Sequence, residues 1–443
     1  MWNNRFLLIG LSLGILLLGF SPESARSVAA PPTSHTNQDE FPNPLVQEMI
    51  DQVDQSRVYQ LTGDLSGAWP VLIDNEPYTI ATRYSKSGDP IIKASQYLHD
   101  YYESLGLVAS LQDFDYRDLT LSNVVAEKTG SVFPERIFLI TSHYDDVPSS
   151  GLAPGADDNA SGTVGVMLAA KILSQYDCGC TLRFVNFAAE EQGLYGSSAY
   201  THRAYCERQD QRGVLNLDMI AWNTPQSLPE VELHVNPTIS GSNVIADLFS
   251  QVVDFYELNL TPTRPSPPTF ASDHSRFWAY KIPAILVIED SDDFNPYFHS
   301  QDDNLGNIPD LAYYTEMVKA SLATLAHLGC LVDDGWGIIS GVVTNSDTGD
   351  PIKDAVVFLT NPTWDYTFQS ITDEEGLFSI SALAGDHILS ADAPQFTPSS
   401  EITIQVVPGQ QTKQDLSLLS TQEHLFYLPI TSSRTLAPLP DCP

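Results

Sequence analysis

Acidic and imidazole side chains stand at several points of this chain where an apolar run has just ended. They lie in the segments SHYD, ADDNASG, AAEEQG, NLDM, SDH and FHSQDD, and the residues are His143, Asp145, Asp157, Asp158, Glu190, Glu191, Asp218, Asp273, His274 and His299. Carboxylate and imidazole groups without thiolates suit zinc in a catalytic site. Two histidines and three acids are enough for two metal ions if one carboxylate bridges them. Such pairs of ions are typical of enzymes that activate water for hydrolysis.

The most compact of these segments is ADDNASG, in which Asp157 and Asp158 directly precede a helix-like run. Acids at this position often do no more than cap a helix, and this is the competing interpretation. A bridging carboxylate has to be held rigidly between two cations, and a tight turn at a helix start does this. Nearby glycines let the backbone approach closely. Because the other acids and histidines accompany it, we favour a metal-bridging carboxylate at this turn.

The segments around these residues predict an α/β fold. Apolar runs alternate with helical patterns, which is typical of a mostly parallel central sheet with helices on both faces. The strand candidates are 137–142, 182–187, 214–220 and 284–288, and the helix candidates are 45–61, 94–105, 160–176 and 311–328. Ligands of open parallel sheets bind at the carboxyl ends of strands, near a switch in strand order. We therefore expect separate segments to bring the acids and histidines to one sheet edge.

After Cys330 the pattern changes to seven short runs with two-residue alternation, separated by turn sequences such as Glu375-Gly376. This pattern predicts a small all-β sandwich. The expected organisation is a signal peptide, a linker, the α/β domain, the sandwich and a tail, at residues 1–29, 30–44, 45–332, 335–419 and 420–443.

The first 29 residues have the organisation of a secretory signal peptide. Arg5 precedes an apolar stretch, and Ser27 and Ala29 occupy the small-residue positions before the cleavage site. An uncleaved anchor is the alternative, but the stretch is short for a spanning helix, which needs ~20 residues. We expect a secreted, cell-surface or periplasmic protein without stable membrane insertion after cleavage.

The net charge of the chain argues against one class of partner, nucleic acids. The 443 residues include 56 acids and 21 Lys and Arg, giving a net charge of −35, which repels phosphate backbones and argues against nucleic-acid binding.

The five cysteines permit disulfides in an exported chain and leave one thiol unpaired, without fixing the connectivity. A bond from Cys178 or Cys180 to Cys206 would staple the segment that carries Glu190 and Glu191.

The six motifs, in their order along the chain, resemble those of the two-zinc aminopeptidases. This family includes secreted bacterial leucyl aminopeptidases, with glutaminyl cyclases and glutamate carboxypeptidases as relatives, and the resemblance covers about residues 78–328. It implies two zinc ions per chain and peptide substrates. The residue roles that it implies are one zinc on His143 and Asp218, a second on Glu191 and His299, Asp157 as the bridge, Glu190 as the general base, Asp145 as the partner that orients His143, and Asp158 as a positional residue.

The resemblance predicts an exported zinc metallopeptidase, an aminopeptidase that uses metal-activated water to remove N-terminal residues, expected to be apolar, from peptides. Aromatic residues that we consider for an apolar specificity pocket are Phe270, Phe277, Tyr297 and Phe298, whereas His202, His234 and His327 are expected to be ordinary surface or packed histidines. A glutaminyl cyclase, a carboxypeptidase of the same fold and a non-catalytic binding protein remain as alternatives. The C-terminal sandwich resembles the carboxypeptidase regulatory-like domain, which implies no catalysis.

Overall fold

The computed structural model describes residues 43–131, 133–148, 151–152, 154–329, 336–362, 366–383, 385–407, 410–421 and 442. The predicted signal peptide, and nearly all of the predicted linker and tail, lie outside these residues. Within the described ranges, no helix has the length and apolar character that crossing a membrane requires.

The described helices all belong to the first domain. They are α1 Pro44–Asp51, α2 Gln55–Leu65, α3 Asp89–Ser104, α4 Ala160–Leu173, α5 Tyr195–Cys206, α6 Ser240–Phe255, α7 His274–Ala279 and α8 Leu311–Leu328. The single helix expected over 45–61 is two helices in the structure. The side chain of Asp54 accepts a hydrogen bond from the backbone N–H of Ser56 and so starts a second helix.

Ten described strands accompany these helices. They are β1 Val71–Ile73, β2 Glu76–Tyr78, β3 Val108–Tyr116, β4 Leu119–Lys128, β5 Phe133–His143, β6 Cys180–Phe187, β7 Asp210–Leu217, β8 Glu230–Val235, β9 Thr261–Thr263 and β10 Ala284–Glu289. Strands β3 to β10 form one sheet in the order β3-β4-β6-β5-β7-β10-β8-β9. Its central strands β6, β5, β7 and β10 are parallel, whereas β3 and β4 form an antiparallel hairpin and β8 runs antiparallel to β10.

Apolar side chains pack on both faces of this sheet, which confirms the predicted α/β class. Every residue of β6 is buried. Phe184 belongs to a large core with α1 to α4 and α8, whereas its neighbour Val185 packs on the other face with Tyr200 of α5 and Phe277 of α7. Consecutive strand residues point to opposite faces, so a strand covered on both sides reads as one continuous apolar run.

The C-terminal domain is all-β, as the alternating pattern predicts. Its described strands are β11 Trp336–Asn345, β12 Val356–Asn361, β13 Tyr366–Ile371, β14 Leu377–Leu383, β15 Gly385–Asp392, β16 Phe396–Thr397, β17 Ile402–Val406, β18 Gln411–Lys413 and β19 Leu416–Ser420. They form one sheet with the order β14-β11-β19-β16, in which β18 also pairs with β11, and a second with the order β13-β12-β15-β17. Ile339, Val357 and Leu389 contribute to a shared apolar core.

The disulfide pairing differs from the staple that we considered. Cys206, the last residue of α5, is bonded to Cys442, 236 residues later. Cys180 is also disulfide-bonded, and Cys178 is a buried free thiol. The bond from Cys206 therefore ties α5 to the C-terminal end of the chain rather than to the strand that precedes the two glutamates.

Arg83 is a completely buried cation that holds several segments together. Its guanidinium donates hydrogen bonds to four backbone carbonyl oxygens at 2.5–2.8 Å, those of Leu65, Tyr144, Pro154 and Gly155. Its backbone N–H donates to the carboxylate of Asp146 at 2.7 Å. Burial raises the pKa of Asp146 to about 6, although the positive charge of Arg83 opposes this shift. Arg83 thus connects the end of α2, the end of β5 and the approach to Asp157.

Replacing Arg83 by methionine is expected to lower the free energy of unfolding by about 3–5 kcal/mol, because it leaves four carbonyl oxygens without their guanidinium donors and removes the positive charge beside the buried carboxylate of Asp146. Urea unfolding monitored by tryptophan fluorescence measures the change. Arg264→Met is the matched control, since Arg264 forms an exposed ion pair with Asp247 and is expected to contribute less than about 1 kcal/mol. Equal effects of the two substitutions would contradict this role of Arg83.

Candidate active site and metal centre

The acids and histidines of the sequence motifs meet at the carboxyl ends of the parallel strands. His143 is the last residue of β5, and Asp218 directly follows β7. Glu190 and Glu191 follow β6, which lies on the other side of β5. The chain therefore leaves β5 toward β6 and later returns to pair with the opposite side of β5 through β7. This reversal creates the switch in strand order where open α/β sheets bind ligands.

One group of side chains surrounds His143. Its members are His143, Glu190 and Asp218, whose candidate ligand atoms all lie within 4.8 Å of one another. The Nε2 atom of His143 lies 3.1 Å from Asp218 Oδ1. Its Nδ1 atom lies 3.1 Å from the backbone carbonyl oxygen of Asp145. Since a carbonyl oxygen can only accept, Nδ1 carries the proton in this hydrogen bond. This contact leaves Nε2 free to act as a ligand toward the group.

A second group contains Asp158, Glu191 and His299, again with candidate ligand atoms within 4.8 Å. The Nε2 atom of His299 lies 3.0 Å from Glu191 Oε2. Ala189, Met219 and His299 all have φ between 53° and 57°, in the left-handed region that non-glycine residues seldom adopt. Each is itself a member of a group or directly adjoins one. This backbone also occurs elsewhere in the described chain, for example at Asn75 and Arg208, but here it helps to aim the side chains of the two groups.

Asp158, a member of the second group, also reaches the first. Its Oδ1 atom is 3.4 Å from Nε2 of His143, and its Oδ2 atom is 3.2 Å from Nε2 of His299. This is the position expected for a carboxylate that bridges two cations, and it corrects the assignment of that position to Asp157. The carboxylate of Asp157 instead accepts hydrogen bonds from the backbone N–H of Ala221 at 2.9 Å and from the side-chain amide of Asn295 at 3.0 Å. These partners lie far along the chain, so the motif alone does not reveal which aspartate faces the groups.

Asp303 fixes the turn that carries Asp158. Its two carboxylate oxygens accept hydrogen bonds from the backbone N–H groups of Asp157 and Asp158, both at 3.0 Å. The backbone N–H of Ala156 donates to the carbonyl oxygen of Asp303, also at 3.0 Å. Since Asp303 follows His299 by four residues, it connects the loop of that histidine to the turn of Asp158.

Gly155 allows this turn to approach its neighbours closely. It has a positive φ of 55°, and a Cβ atom there would lie 2.3 Å from the carbonyl oxygen of Asp158 and 2.6 Å from the guanidinium of Arg83. Only glycine fits such a position without moving the backbone. The side chain of Asn159 ends the turn by accepting a hydrogen bond from the N–H of Gly162 and so caps α4.

Asp145 contacts His143 mainly through its backbone carbonyl oxygen, whereas a contact through the side chain was expected. Its carbonyl oxygen accepts the short contact from His143, whereas its carboxylate oxygen Oδ1 is 3.7 Å from Nδ1 of that ring. The carboxylate accepts hydrogen bonds from the hydroxyl of Ser85 at 2.9 Å and from the backbone N–H of Glu190 at 3.0 Å. Asp145 therefore contacts both His143 and the backbone of Glu190.

The crowding of buried acids shifts their proton affinities. Burial raises the pKa of Glu190 well above its usual range and that of Glu191 to about 8. Burial opposes a positive charge on His143, but Asp218 and Glu190 raise its pKa well above the ordinary value. Burial would raise the pKa of Asp158, but hydrogen bonding to His299 and the charge of His143 lower it. A cation bound here would have to displace protons from several of these groups.

Two observations indicate that the donor atoms of these groups suit divalent zinc. The Oε1 atom of Glu191 and the Nε2 atom of His299 are buried without hydrogen-bond partners among the described residues. Atoms that approach one another without pairing suit ligands that share a cation. The donors are imidazole nitrogens and carboxylate oxygens, the usual set of catalytic zinc sites.

A cavity of about 780 Å³ opens onto both groups. Of the four aromatic residues considered for it, only Phe298 lines the cavity, together with Phe294. Phe277 is buried in the core on the other face of the sheet, and Phe270 is 60% exposed. His234, expected to be an ordinary surface or packed residue, lines the cavity with Glu232.

Two buried acids of the site, Asp303 and Glu289, were not recognised from the sequence. Asp303 stands in the motif FHSQDD, and its position close behind His299 could have identified it. Glu289 ends β10 and accepts hydrogen bonds from the backbone N–H groups of Trp222 and Asn295 at 3.0 Å. Asp273, which the motif SDH had already singled out, has both carboxylate oxygens buried without hydrogen-bond partners among the described residues. Nothing in the local pattern distinguishes Glu289 from a surface acid at a strand end.

Comparison with known families matches both domains. Residues 123–324 match Peptidase family M28, and residues 338–419 match the Carboxypeptidase regulatory-like domain. A probable aminopeptidase of Saccharomyces cerevisiae is 31% identical over 233 residues, which is 50% of this chain and 60% of that protein. The next two curated relatives are matched over 23% and 43% of their lengths, so the chain corresponds to only part of each.

Solved structures share the fold at low sequence identity. The LapA aminopeptidase of Legionella pneumophila has a TM-score of 0.53 and 20% identity, over 64% of this chain and 74% of that one. A glutaminyl cyclase of Bacteroides thetaiotaomicron has a TM-score of 0.51 and 17% identity, over 62% of this chain and 98% of that one. These likenesses show the fold and do not distinguish the two activities.

The position of Asp158 predicts different effects for the two neighbouring aspartates. Asp158→Asn is expected to lower the bound zinc because an amide has one neutral oxygen and cannot bridge two cations. Asp157→Asn is expected to keep the wild-type zinc content, since its carboxylate faces Ala221 and Asn295. Elemental analysis of zinc per folded chain after equilibration with zinc tests this. Loss of zinc in Asp157→Asn with retention in Asp158→Asn would restore the assignment made from sequence.

The hydrogen bonds of Asp303 predict a change in metal affinity. Asp303→Asn leaves only one acceptor for two backbone N–H groups, so the turn of Asp158 should lose its fixed position. We expect zinc affinity to weaken by about 10- to 100-fold, as measured by competition with a chelator. The control is Asp302→Asn, because Asp302 is exposed and adjacent. Unchanged affinity in Asp303→Asn would show that the turn is held by other contacts.

Proposed function

Because the chain contains a domain of peptidase family M28 followed by a carboxypeptidase regulatory-like domain, we propose that it is a zinc-dependent aminopeptidase that removes N-terminal residues from peptides. The observation that carries this proposal is the position of Asp158 between two groups of histidine and carboxylate donors at the wall of one cavity. The yeast relative that is named a probable aminopeptidase supports the same activity.

In this proposal His143 and Asp218 would hold one zinc ion and Glu191 and His299 a second, and the carboxylate of Asp158 faces both sets of donors. Zinc in such sites lowers the pKa of water and polarises a carbonyl group, which is the chemistry that peptide hydrolysis requires. The backbone carbonyl of Asp145 keeps the Nδ1 proton of His143 in place. Its carboxylate fixes the peptide N–H of Glu190 and so aims that side chain into the cavity.

Glu190 is the proposed general base. It lines the cavity and is 8% exposed, so a substrate that fills the cavity would separate it from bulk water. Its carboxylate would accept a proton from the attacking water and deliver it to the leaving amine nitrogen. Its neighbour Glu191 belongs to the other group, so the two adjacent glutamates have separate tasks.

We also propose that the protein is exported and acts outside the cytoplasm. The signal-like N-terminus supports this localisation. The bond between Cys206 and Cys442 supports it too, since such bonds persist in oxidising compartments.

Hydrolysis of leucine p-nitroanilide by the zinc-loaded protein tests the proposed activity. Chelation should abolish the release of p-nitroaniline, and added zinc should restore it. Glu190→Gln is expected to lower kcat by about 10²- to 10⁴-fold while leaving the zinc content unchanged, because it removes a proton acceptor and not a ligand. Simultaneous loss of zinc would instead identify Glu190 as a ligand.

Absence of turnover on several N-terminal residues by a folded protein with two zinc ions would contradict the aminopeptidase proposal. Cyclisation of N-terminal glutamine or release of C-terminal residues would then be measured with the same protein. Inactivity in all of these assays would leave the binding role as the better explanation.

A further inference from the structure

The cavity wall contains one basic side chain of the lysine and arginine type, Arg276. It belongs to the short helix α7, two residues after His274. The rest of the wall beyond the two donor groups includes apolar side chains such as Leu286, Ile288 and Phe298. A cation in this wall is notable because acids outnumber Lys and Arg by 56 to 21 in the sequence.

Arg276 is half-buried and has no counter-charge in the described part of the chain. No carboxylate among those residues lies within ion-pair distance of it, and its buried Nε atom has no hydrogen-bond partner there. Burying part of a charged group costs free energy unless a partner compensates it. The guanidinium is thus a positive group beside a cavity with its hydrogen-bonding capacity unused.

The other polar groups in this part of the cavity are already satisfied. Glu232 accepts hydrogen bonds from Nε2 of His234 at 2.9 Å and from the hydroxyl of Ser291 at 2.6 Å. The Nδ1 atom of His234 accepts from the backbone N–H of Thr269 at 3.1 Å, so both ring nitrogens are used. Both carboxylate oxygens of Glu289 are also engaged, since they accept hydrogen bonds from the backbone N–H groups of Trp222 and Asn295 at 3.0 Å.

We propose that Arg276 binds a carboxylate group of the peptide substrate. A guanidinium presents its N–H groups in a planar fork that matches the two oxygens of a carboxylate. The identification of the ligand as a peptide rests on the proposed function, whereas the carboxylate preference rests on the unpaired cation itself. The carboxylate comes either from an acidic N-terminal side chain or from the C-terminus of a dipeptide.

Paired substrates that differ only in a carboxylate test the proposal. The first pair is the α-p-nitroanilides of glutamate and glutamine, and the second is Leu-Leu and its C-terminal amide. For each pair we compare the ratio of kcat/KM values, so a general change in activity cancels. Arg276→Gln is expected to lower the preference for the carboxylate member of one pair by about 10- to 100-fold, the scale of a hydrogen bond between charged groups. The affected pair identifies the source of the carboxylate.

Two further variants make the comparison specific. Arg276→Lys should keep part of the preference, because lysine retains the charge but loses the fork. Arg264→Gln should keep both wild-type ratios, since Arg264 is absent from the cavity wall and is paired with Asp247. If Arg276→Gln leaves both ratios at the wild-type values, the proposal is wrong.

A binding measurement separates this proposal from the proposed peptidase activity. Calorimetric titration of the zinc-loaded protein compares glutamate with glutamine, and leucine with leucinamide. A preference for the carboxylate member that Arg276→Gln removes would support the site even if the wild type hydrolyses no substrate. Equal binding within both pairs by the wild type would overturn it, whatever the catalytic result.

Discussion

The fold gathers negative charge in a place from which water is largely excluded, and the rest of the site depends on how that charge is compensated. The buried acids at this sheet edge include Asp145, Asp157, Asp158, Glu190, Asp218, Asp273, Glu289 and Asp303. Like charges at such distances repel one another strongly where the effective dielectric constant is low. Protons, histidines and backbone N–H groups compensate part of this charge, and divalent cations are suited to compensate the remainder.

Backbone N–H groups compensate the acids that point away from the two donor groups. Asp303 receives two of them from the turn of Asp158, and Glu289 receives two from the segments that follow β7 and β10. Asp158 is left to face His143 and His299. The outer acids therefore determine which inner carboxylate reaches the metal position, although none of them contacts it. Arg83 anchors the same turn from its other side through Gly155.

The sequence was sufficient to predict the α/β class, the central parallel strands and the meeting of separate motifs at one edge. Continuous apolar runs mark strands that are covered on both faces, and the polar residues directly after them had to lie at the strand ends. The choice between Asp157 and Asp158 was wrong because it depends on Ala221 and Asn295, which are distant in sequence. The sequence did not single out Arg83 either, because its partners are backbone carbonyl groups, which every residue carries.

Shared architecture does not decide which reaction such a site performs. An aminopeptidase and a glutaminyl cyclase resemble this chain about equally well, with TM-scores of 0.53 and 0.51. The difference between such activities has to come from the groups that hold the substrate, because fold alone does not determine function. In this chain those groups are an apolar wall with Phe294 and Phe298, a satisfied pair of Glu232 and His234, and an unpaired arginine. The charge of that half-buried arginine is the basis of the proposed carboxylate preference, because an unpaired cation favours ligands that bring the missing negative charge.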